Sequence, residues 1–238
     1  MVPDGDIAML PETDAAGMVR DTLDLRGRRV ADIGCGMGAL AIDMAEQGGM
    51  VCGLDPDTAR IRAAHTAAAD RNPAPYFMIG VAQALPFGDA SMDVSMFFNS
   101  LHHVPVAHVA TGLAEASRVL KPGGTLFVAE PVGMGPKFEV QRLWNDEREE
   151  WRHAYAQLGR AETWNLEAQR EMFFGKHARF RDFAAYADDV RGRSAHHAAL
   201  VDRHEAELRR RFETLGRRDG DTVVLDGVVR LNLFRKSG

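Results

Sequence analysis

The 238-residue sequence has few cysteines, no long apolar run and no excess of positive charge. Its two cysteines, Cys35 and Cys52, are too few for a disulfide framework. Both fall in or beside predicted strands, so we expect them to be buried, free thiols. No apolar stretch approaches the roughly 18 residues that a membrane span needs. The sequence therefore predicts neither a disulfide-stapled domain nor a membrane span.

The formal net charge is −5 at pH 7. This balance argues against a protein that binds nucleic acid through bulk positive charge. The first residues also lack the basic and apolar regions of a secretory signal peptide. We therefore expect a cytoplasmic protein with no nucleic-acid partner.

Apolar runs alternate with helix-forming runs through the first 130 residues. A tight turn or a proline separates most neighbouring runs. Such alternation predicts a doubly wound α/β fold, in which parallel strands are joined by right-handed crossovers. The predicted strands are residues 29–33, 50–54, 76–79, 93–98 and 125–129.

The composition changes near residue 134. Residues 137–218 are charged and helical in pattern, and Trp144 and Trp151 are spaced to share one helix face. Near the end, Asp226-Gly227 between two β-type runs predicts a hairpin. We expect three parts: a helical segment at 1–27, a core at 28–133 and 204–238, and a helical substrate-binding lid at 134–203.

The stretch 30–38 reads Val-Ala-Asp-Ile-Gly-Cys-Gly-Met-Gly. A strand, a glycine turn and a helix in this order form a pocket for a nucleotide-like ligand. The turn also satisfies the loose dinucleotide pattern G-x-G-x-x-G/A, and Asp55 lies near the distance expected for a ribose-binding acid. An NAD-type oxidoreductase is therefore one interpretation.

Asp32 lies inside the apolar strand before the glycines. A buried carboxylate is costly unless a donor or a cation pairs with it. A ligand ammonium or the N–H groups of the turn would supply that partner, whereas a phosphate would be repelled. Asp55 either accepts both hydroxyls of a ribose or caps the helix that begins at Pro56, or does both. These carboxylates favour an amino-acid-like cationic ligand.

Five motifs occur in chain order, at residues 32–38, 53–56, 85–87 with 91–93, 101–104 and 120–124. Together they resemble a class I S-adenosylmethionine-dependent methyltransferase that acts on small molecules, similar to the ubiquinone/menaquinone-biosynthesis type. The resemblance spans about residues 28–131. It implies a Rossmann-like, mostly parallel seven-stranded sheet with an antiparallel last strand and a helical insertion after strand 5.

The resemblance also implies a set of cofactor-binding residues. One departure is Val81, where the family often has an acidic residue that pairs with the adenine amino group. The implied contacts are Asp32, Gly34, Cys35, Gly36 and Gly38 for the methionine part, Asp55 and Pro56 for the ribose, Ala82 and Gln83 beside the adenine, and Asn99 for the methionine amino group.

The predicted activity is methyl transfer from S-adenosyl-L-methionine to a small-molecule acceptor by in-line displacement, with S-adenosyl-L-homocysteine as product. His102, His103 and Tyr155 are the candidate bases. Adjacent histidines on an extended segment point to opposite sides, so no metal site is predicted. A regulatory protein that binds the cofactor without turnover is the second interpretation. We expect a monomer or homodimer.

Overall fold

A computed structural model describes residues 7–238. Its backbone divides into two compact units, each described by itself below. The sheet unit comprises residues 14–130, 149–172 and 230–238. The accessory unit comprises residues 131–148 and 173–229, together with the described residues before 14.

The sheet has seven strands in the order β3-β2-β1-β4-β5-β10-β6. The pairs among β1 to β5 are parallel, and β10 runs antiparallel to β5, so the predicted fold class is confirmed. The strands are β1 Arg29–Ile33, β2 Met50–Asp55, β3 Tyr76–Ile79, β4 Met92–Phe98, β5 Leu120–Pro131, β6 Leu166–Gly175 and β10 Val228–Lys236.

Five helices accompany the sheet strands. Asp14 caps α1, and its side chain accepts a hydrogen bond from Gly17 N. Asp57 caps α3 by accepting from Ala59 N and Arg60 N, so the predicted capping role of Asp55 is wrong. The helices are α1 Ala15–Thr22, α2 Ala39–Glu46, α3 Thr58–Ala68, α4 Val109–Val119 and α6 Arg148–Leu158.

The core of the sheet unit lies on both faces of the parallel strands. In β1 every residue after Arg29 is buried, as expected for a strand covered by helices on both sides. Leu113 and Ala116 of α4 pack against Phe97 and Leu126 in one apolar cluster. This packing fixes the carboxyl ends of the strands, where ligands bind in open α/β sheets.

The accessory unit has its own core of aromatic residues. Phe212 of α8 contacts the rings of Phe180, Phe183 and Tyr186, and Trp144 Nε1 donates to Tyr186 Oη at 2.7 Å. A three-stranded antiparallel sheet, β7-β9-β8, completes the unit. Its elements are α5 Gly135–Gln141, β7 Ala178–Phe180, α7 Phe183–Arg191, α8 Ala195–Leu215, β8 Arg217–Asp219 and β9 Thr222–Leu225.

The prediction of a helical pattern over 137–218 is wrong at β6 and β7, and β8 begins at the end of that range. Half of the side chains of β6 are exposed and only two are buried, so its sequence lacks the apolar alternation that marks a strand. Trp144 lies beyond α5 while Trp151 lies on α6, so the two tryptophans do not share a helix face. Pairing at a sheet edge decides the structure of β6 against its helical composition.

The predicted hairpin about Asp226-Gly227 is also wrong. β9 pairs with β7 and β8, whereas β10 joins the seven-stranded sheet. Neither Asp226 nor Gly227 has a positive φ, which a type I′ hairpin turn needs at both central residues. The hairpin of this region turns at Gly220, whose φ is +57°, between β8 and β9.

The boundaries of the two compact units differ from the predicted domain boundaries. Residues 149–172 lie with the sheet, and residues 204–229 lie in the accessory unit. The predicted role of 134–203 as a substrate-binding lid stays a prediction. None of the helices in residues 7–238 combines the length and apolarity needed to cross a membrane.

Candidate cofactor site

The glycine turn after β1 uses left-handed backbone at three positions. Gly34, Gly36 and Gly38 have φ values of +81°, +56° and +82°. A Cβ at Gly34 would lie 2.5 Å from Ser100 Cβ, and one at Gly38 would lie 2.5 Å from Phe77 Cζ. The first glycine therefore permits contact with the loop after β4, and the last permits packing of α2 beside β3.

The turn borders a cavity of about 670 Å³. Its walls come from the ends of β1, β2 and β4 and from the segment after β3. Asp32, Gly38, His102 and Tyr155 do not line it. The predicted site residues that do are Gly34, Cys35, Gly36, Asp55, Pro56, Ala82, Gln83, Asn99 and His103.

Asp55 connects the glycine turn to the start of α3. Its Oδ2 accepts from Gly36 N at 3.0 Å, and its Oδ1 accepts from Asp57 N at 2.9 Å. The Arg60 guanidinium lies 3.9 Å from Oδ2. Each carboxylate oxygen can accept a further hydrogen bond, so Asp55 is able to hold the turn and a diol together.

Asp32 lies beneath the turn and is only 2 % exposed. Its Oδ2 has no hydrogen-bond partner within the described residues. Burial, with Asp55 nearby, raises the pKa of Asp32 to about 7. A buried carboxyl in this state calls for a cation or a donor from a ligand.

The N–H groups of the turn do not pair with Asp32. Those of Gly34 and Cys35 donate to Leu54 O, and that of Gly36 donates to Asp55. The alternative in which these N–H groups satisfy Asp32 is therefore wrong. Of the two partners predicted for Asp32, the turn N–H groups and a ligand ammonium, only the ammonium remains.

Asn99 offers a second unpaired oxygen at the cavity. It lines the cavity with a φ of +50°, and its Oδ1 is buried without a partner in the part of the chain that the structure describes. Asparagine tolerates left-handed backbone better than most residues. The unpaired oxygens of Asp32 and Asn99 fit the ammonium of an amino-acid-like ligand.

Glu130 organises the loop after β4 and was not predicted. Its Oε1 accepts from Ser100 N at 3.1 Å and from Leu101 N at 2.8 Å, and its Oε2 pairs with His102 Nδ1. Ser100 Oγ donates to Ile33 O at 2.6 Å. A carboxylate within an apolar strand was the available signal, the same one that singled out Asp32.

The two histidines lie on a 3-10 turn, Leu101–His103, and their ring centroids are 4.0 Å apart. The expectation that they point to opposite sides is therefore wrong, because it assumed an extended segment. The absence of a metal site, which rested on it, stays a prediction. His103 lines the cavity, whereas His102 is buried against Glu130.

Tyr155 lies at a second cavity, of about 420 Å³. Its hydroxyl donates to Glu171 Oε2 at 2.9 Å. Burial and this hydrogen bond raise the pKa of Tyr155. A phenol with a raised pKa is a poorer base at neutral pH.

The loop after β3 is held by an arginine that was not predicted. Arg118 donates to Leu85 O at 3.1 Å and to Phe87 O at 2.9 Å, and Glu115 accepts from Leu85 N at 2.9 Å. Arg118 and Glu115 also form an ion pair. These contacts fix the segment that carries Ala82 and Gln83 into the cavity.

The prediction that both cysteines are buried is wrong, because each is partly exposed. Both thiols are free, as expected. Cys35 lies in the glycine turn, not in a strand. Burial raises the pKa of Cys52 to about 11, and it raises that of Cys35 as well. Both thiols are protonated at neutral pH, so neither is poised as a nucleophile.

Substitutions at Gly34 and Gly36 test whether the turn lies as close to Ser100 as the structure shows. We expect Gly34→Ala to lower the free energy of unfolding by about 3 kcal/mol, because it combines left-handed strain with a clash against Ser100. Gly36→Ala meets nothing within 4 Å and should lose only about 1 kcal/mol through strain. Urea unfolding of both variants measures the difference. Equal losses would contradict the close approach.

Comparison with known proteins finds the methyltransferase-domain family at residues 30–124. The chain is 38 % identical over 125 residues to a 27-O-demethylrifamycin SV methyltransferase of Amycolatopsis mediterranei, over 49 % of this chain and 45 % of that protein. It is 34 % identical over 113 residues to a ubiquinone biosynthesis O-methyltransferase of Paracidovorax citrulli, over 47 % of each. The match thus spans about half the length of these curated relatives.

The fold is similar to that of solved structures over nearly the whole chain. A candidate methyltransferase from Bacillus halodurans C-125 superimposes with a TM-score of 0.66 at 20 % identity, covering 94 % of this chain and 99 % of that one. Residues 30–124 match the methyltransferase-domain family, and the predicted resemblance to S-adenosylmethionine-dependent methyltransferases is confirmed over that segment.

Proposed function

We propose that this chain transfers the methyl group of S-adenosyl-L-methionine to a small-molecule acceptor. The observation that carries the proposal is the buried Asp32 carboxyl, whose unpaired oxygen lies beneath the glycine turn. An ammonium satisfies this oxygen, whereas a pyrophosphate would meet a buried negative charge. The methyltransferase-domain match over residues 30–124 supports the same cofactor.

The residues at the cavity wall and behind it would contact three parts of the cofactor. Asn99 and the Gly34–Gly38 turn would hold the methionine part, with Asp32 buried behind the turn as the partner of its ammonium. Asp55, with Pro56 beside it, would accept the ribose hydroxyls at the tip of β2. Ala82 and Gln83 would flank the adenine, with Gln83 supplying the polar contact that Val81 lacks.

The cofactor supplies an activated methyl on its sulfonium when bound, so the chain's task is to bind, orient and exclude water. If the acceptor presents an O–H group or an acidic carbon, a base takes its proton. Among the three candidates His103 fits best, since it alone lines the cavity. His102 is buried against Glu130, and Tyr155 has a raised pKa.

A small-molecule acceptor is the proposed partner. The two relatives are named for methylation of a rifamycin and for ubiquinone biosynthesis, which supports a small acceptor for this chain. A cytoplasmic location, a monomer or homodimer, and the absence of a nucleic-acid partner stay predictions. The rival is a protein that binds the cofactor without transferring its methyl group.

Ligand binding and turnover test the proposal together. S-adenosylhomocysteine should raise the melting temperature by several degrees, because it binds only the folded chain, while NADH should leave it unchanged. A screen of small phenols, acids and amines with S-adenosylmethionine, read by release of S-adenosylhomocysteine, should then find turnover. A shift with NADH alone would overturn the proposal, and binding without turnover on any acceptor would favour the rival.

Asp55 has a matched control two residues away. Asp55→Ala should weaken S-adenosylhomocysteine binding at least tenfold, about 1.4 kcal/mol, because hydrogen bonds to the ribose are lost. Asp57→Ala removes the cap of α3 and should cost about 1 kcal/mol of stability while leaving affinity unchanged. Calorimetric titration measures both. Equal affinity losses would show that Asp55 acts only through α3.

The pKa of Asp32 predicts a pH dependence of cofactor binding. A protonated Asp32 is neutral and cannot form an ion pair with an ammonium, so affinity should fall as pH drops through about 7. We expect S-adenosylhomocysteine to bind about tenfold more weakly at pH 6 than at pH 8. Asp32→Asn should bind weakly at both pH values. Titration calorimetry tests this, and an identical pH profile for the variant would contradict it.

A further inference from the structure

The last strand of the sheet carries a buried arginine. Arg230 of β10 is 9 % exposed, and its Nε is buried without a hydrogen-bond partner. No carboxylate of residues 7–238 forms a direct ion pair with its guanidinium, although the charges of Glu171 and Glu130 act on it and raise its pKa. Burial has the larger effect and lowers the pKa of Arg230, yet a guanidinium stays charged at neutral pH. A buried guanidinium whose Nε–H has no acceptor is costly and therefore calls for an explanation.

Arg230 lies at the same edge of the sheet as the cofactor cavity. Val132 N donates to Val228 O at 3.3 Å, and this antiparallel register puts Glu130 opposite Arg230. Both oxygens of Glu130 are already engaged by the loop after β4. The loop carries His103 into the cavity. Arg230 is thus a neighbour of the residue that shapes the cavity wall, and Glu130 acts on it through its charge without a direct ion pair.

An aromatic ring holds the guanidinium in place. Arg230 Cζ lies 3.2 Å from the centroid of the Tyr155 ring. Glu171 Oε2 accepts from Tyr155 Oη and from Asn232 Nδ2, both at 2.9 Å, which fixes the ring. Stacking occupies one face of the guanidinium but leaves its in-plane N–H donors able to bind a ligand.

We propose that Arg230 binds a carboxylate of the methyl acceptor, which makes the acceptor an acid. The proposal rests on the methyltransferase function proposed above. A planar guanidinium held by a ring matches a carboxylate in a two-pronged hydrogen bond. The cofactor also has a carboxylate, but β10 is two strands from β4, about 10 Å, whereas Asp32 and Asn99 lie on β1 and after β4. A carboxylate of the acceptor therefore fits the position of Arg230 better than the carboxylate of the cofactor does.

Matched acids and amides test this assignment. Protein saturated with S-adenosylhomocysteine is titrated with benzoate and benzamide, and separately with hexanoate and hexanamide, with affinity read by ligand-observed NMR. At least one acid should bind ten times more tightly than its amide, because only the acid carries the charge. Arg230→Gln should abolish that preference. Arg170→Gln, an exposed arginine of β6, should keep it.

Other outcomes overturn the proposal. It fails if neither acid is preferred by the unaltered protein, or if Arg230→Gln keeps the preference. It also fails if Arg230→Gln weakens S-adenosylhomocysteine binding, since the carboxylate would then be that of the cofactor. Arg230→Lys covers the case in which the glutamine variant does not fold, and it should retain part of the preference. Failure of the unaltered protein to bind S-adenosylhomocysteine instead overturns the proposed function.

Discussion

The close approach of two loops, one after β1 and one after β4, is the contact on which the candidate site depends. Ser100 Oγ donates to Ile33 O, and only a glycine at position 34 leaves room for Ser100 there. The Glu130 carboxylate holds the second loop by accepting hydrogen bonds from the main-chain N–H groups of Ser100 and Leu101. Because a side chain at position 34 would separate the loops, the shape of the cavity follows from this contact.

The buried charged groups differ in how many hydrogen bonds the chain itself gives them. Glu130 and Asp55 have their hydrogen bonds within the chain. Asp32 and Arg230 are also buried, yet Asp32 Oδ2 and Arg230 Nε have no hydrogen-bond partner among the described residues. Unpaired buried polar atoms are rare in folded chains, and the proposed cofactor and acceptor would supply an ammonium for Asp32 and a carboxylate for Arg230.

The first half of the fold was predictable because its signals are local. The apolar runs, the glycine turn and the Asp55 position each follow from a few neighbouring residues, and the structure places them at one edge of the sheet. The edge strand β6 was not predictable, since its exposed face removes the apolar alternation. The hairpin at Asp226-Gly227 failed because a turn sequence does not say which sheet the flanking strands join.

The sequence by itself determined the parallel sheet, the glycine turn, and the carboxylates at the ends of β1 and β2, because each depends on residues close in the chain. Only the tertiary structure decided that Glu130 supports residues thirty positions away, that His103 and not His102 lines the cavity, and that Arg230 stacks on Tyr155. These contacts join distant segments, and their geometry is set by packing between strands and helices, not by local preference.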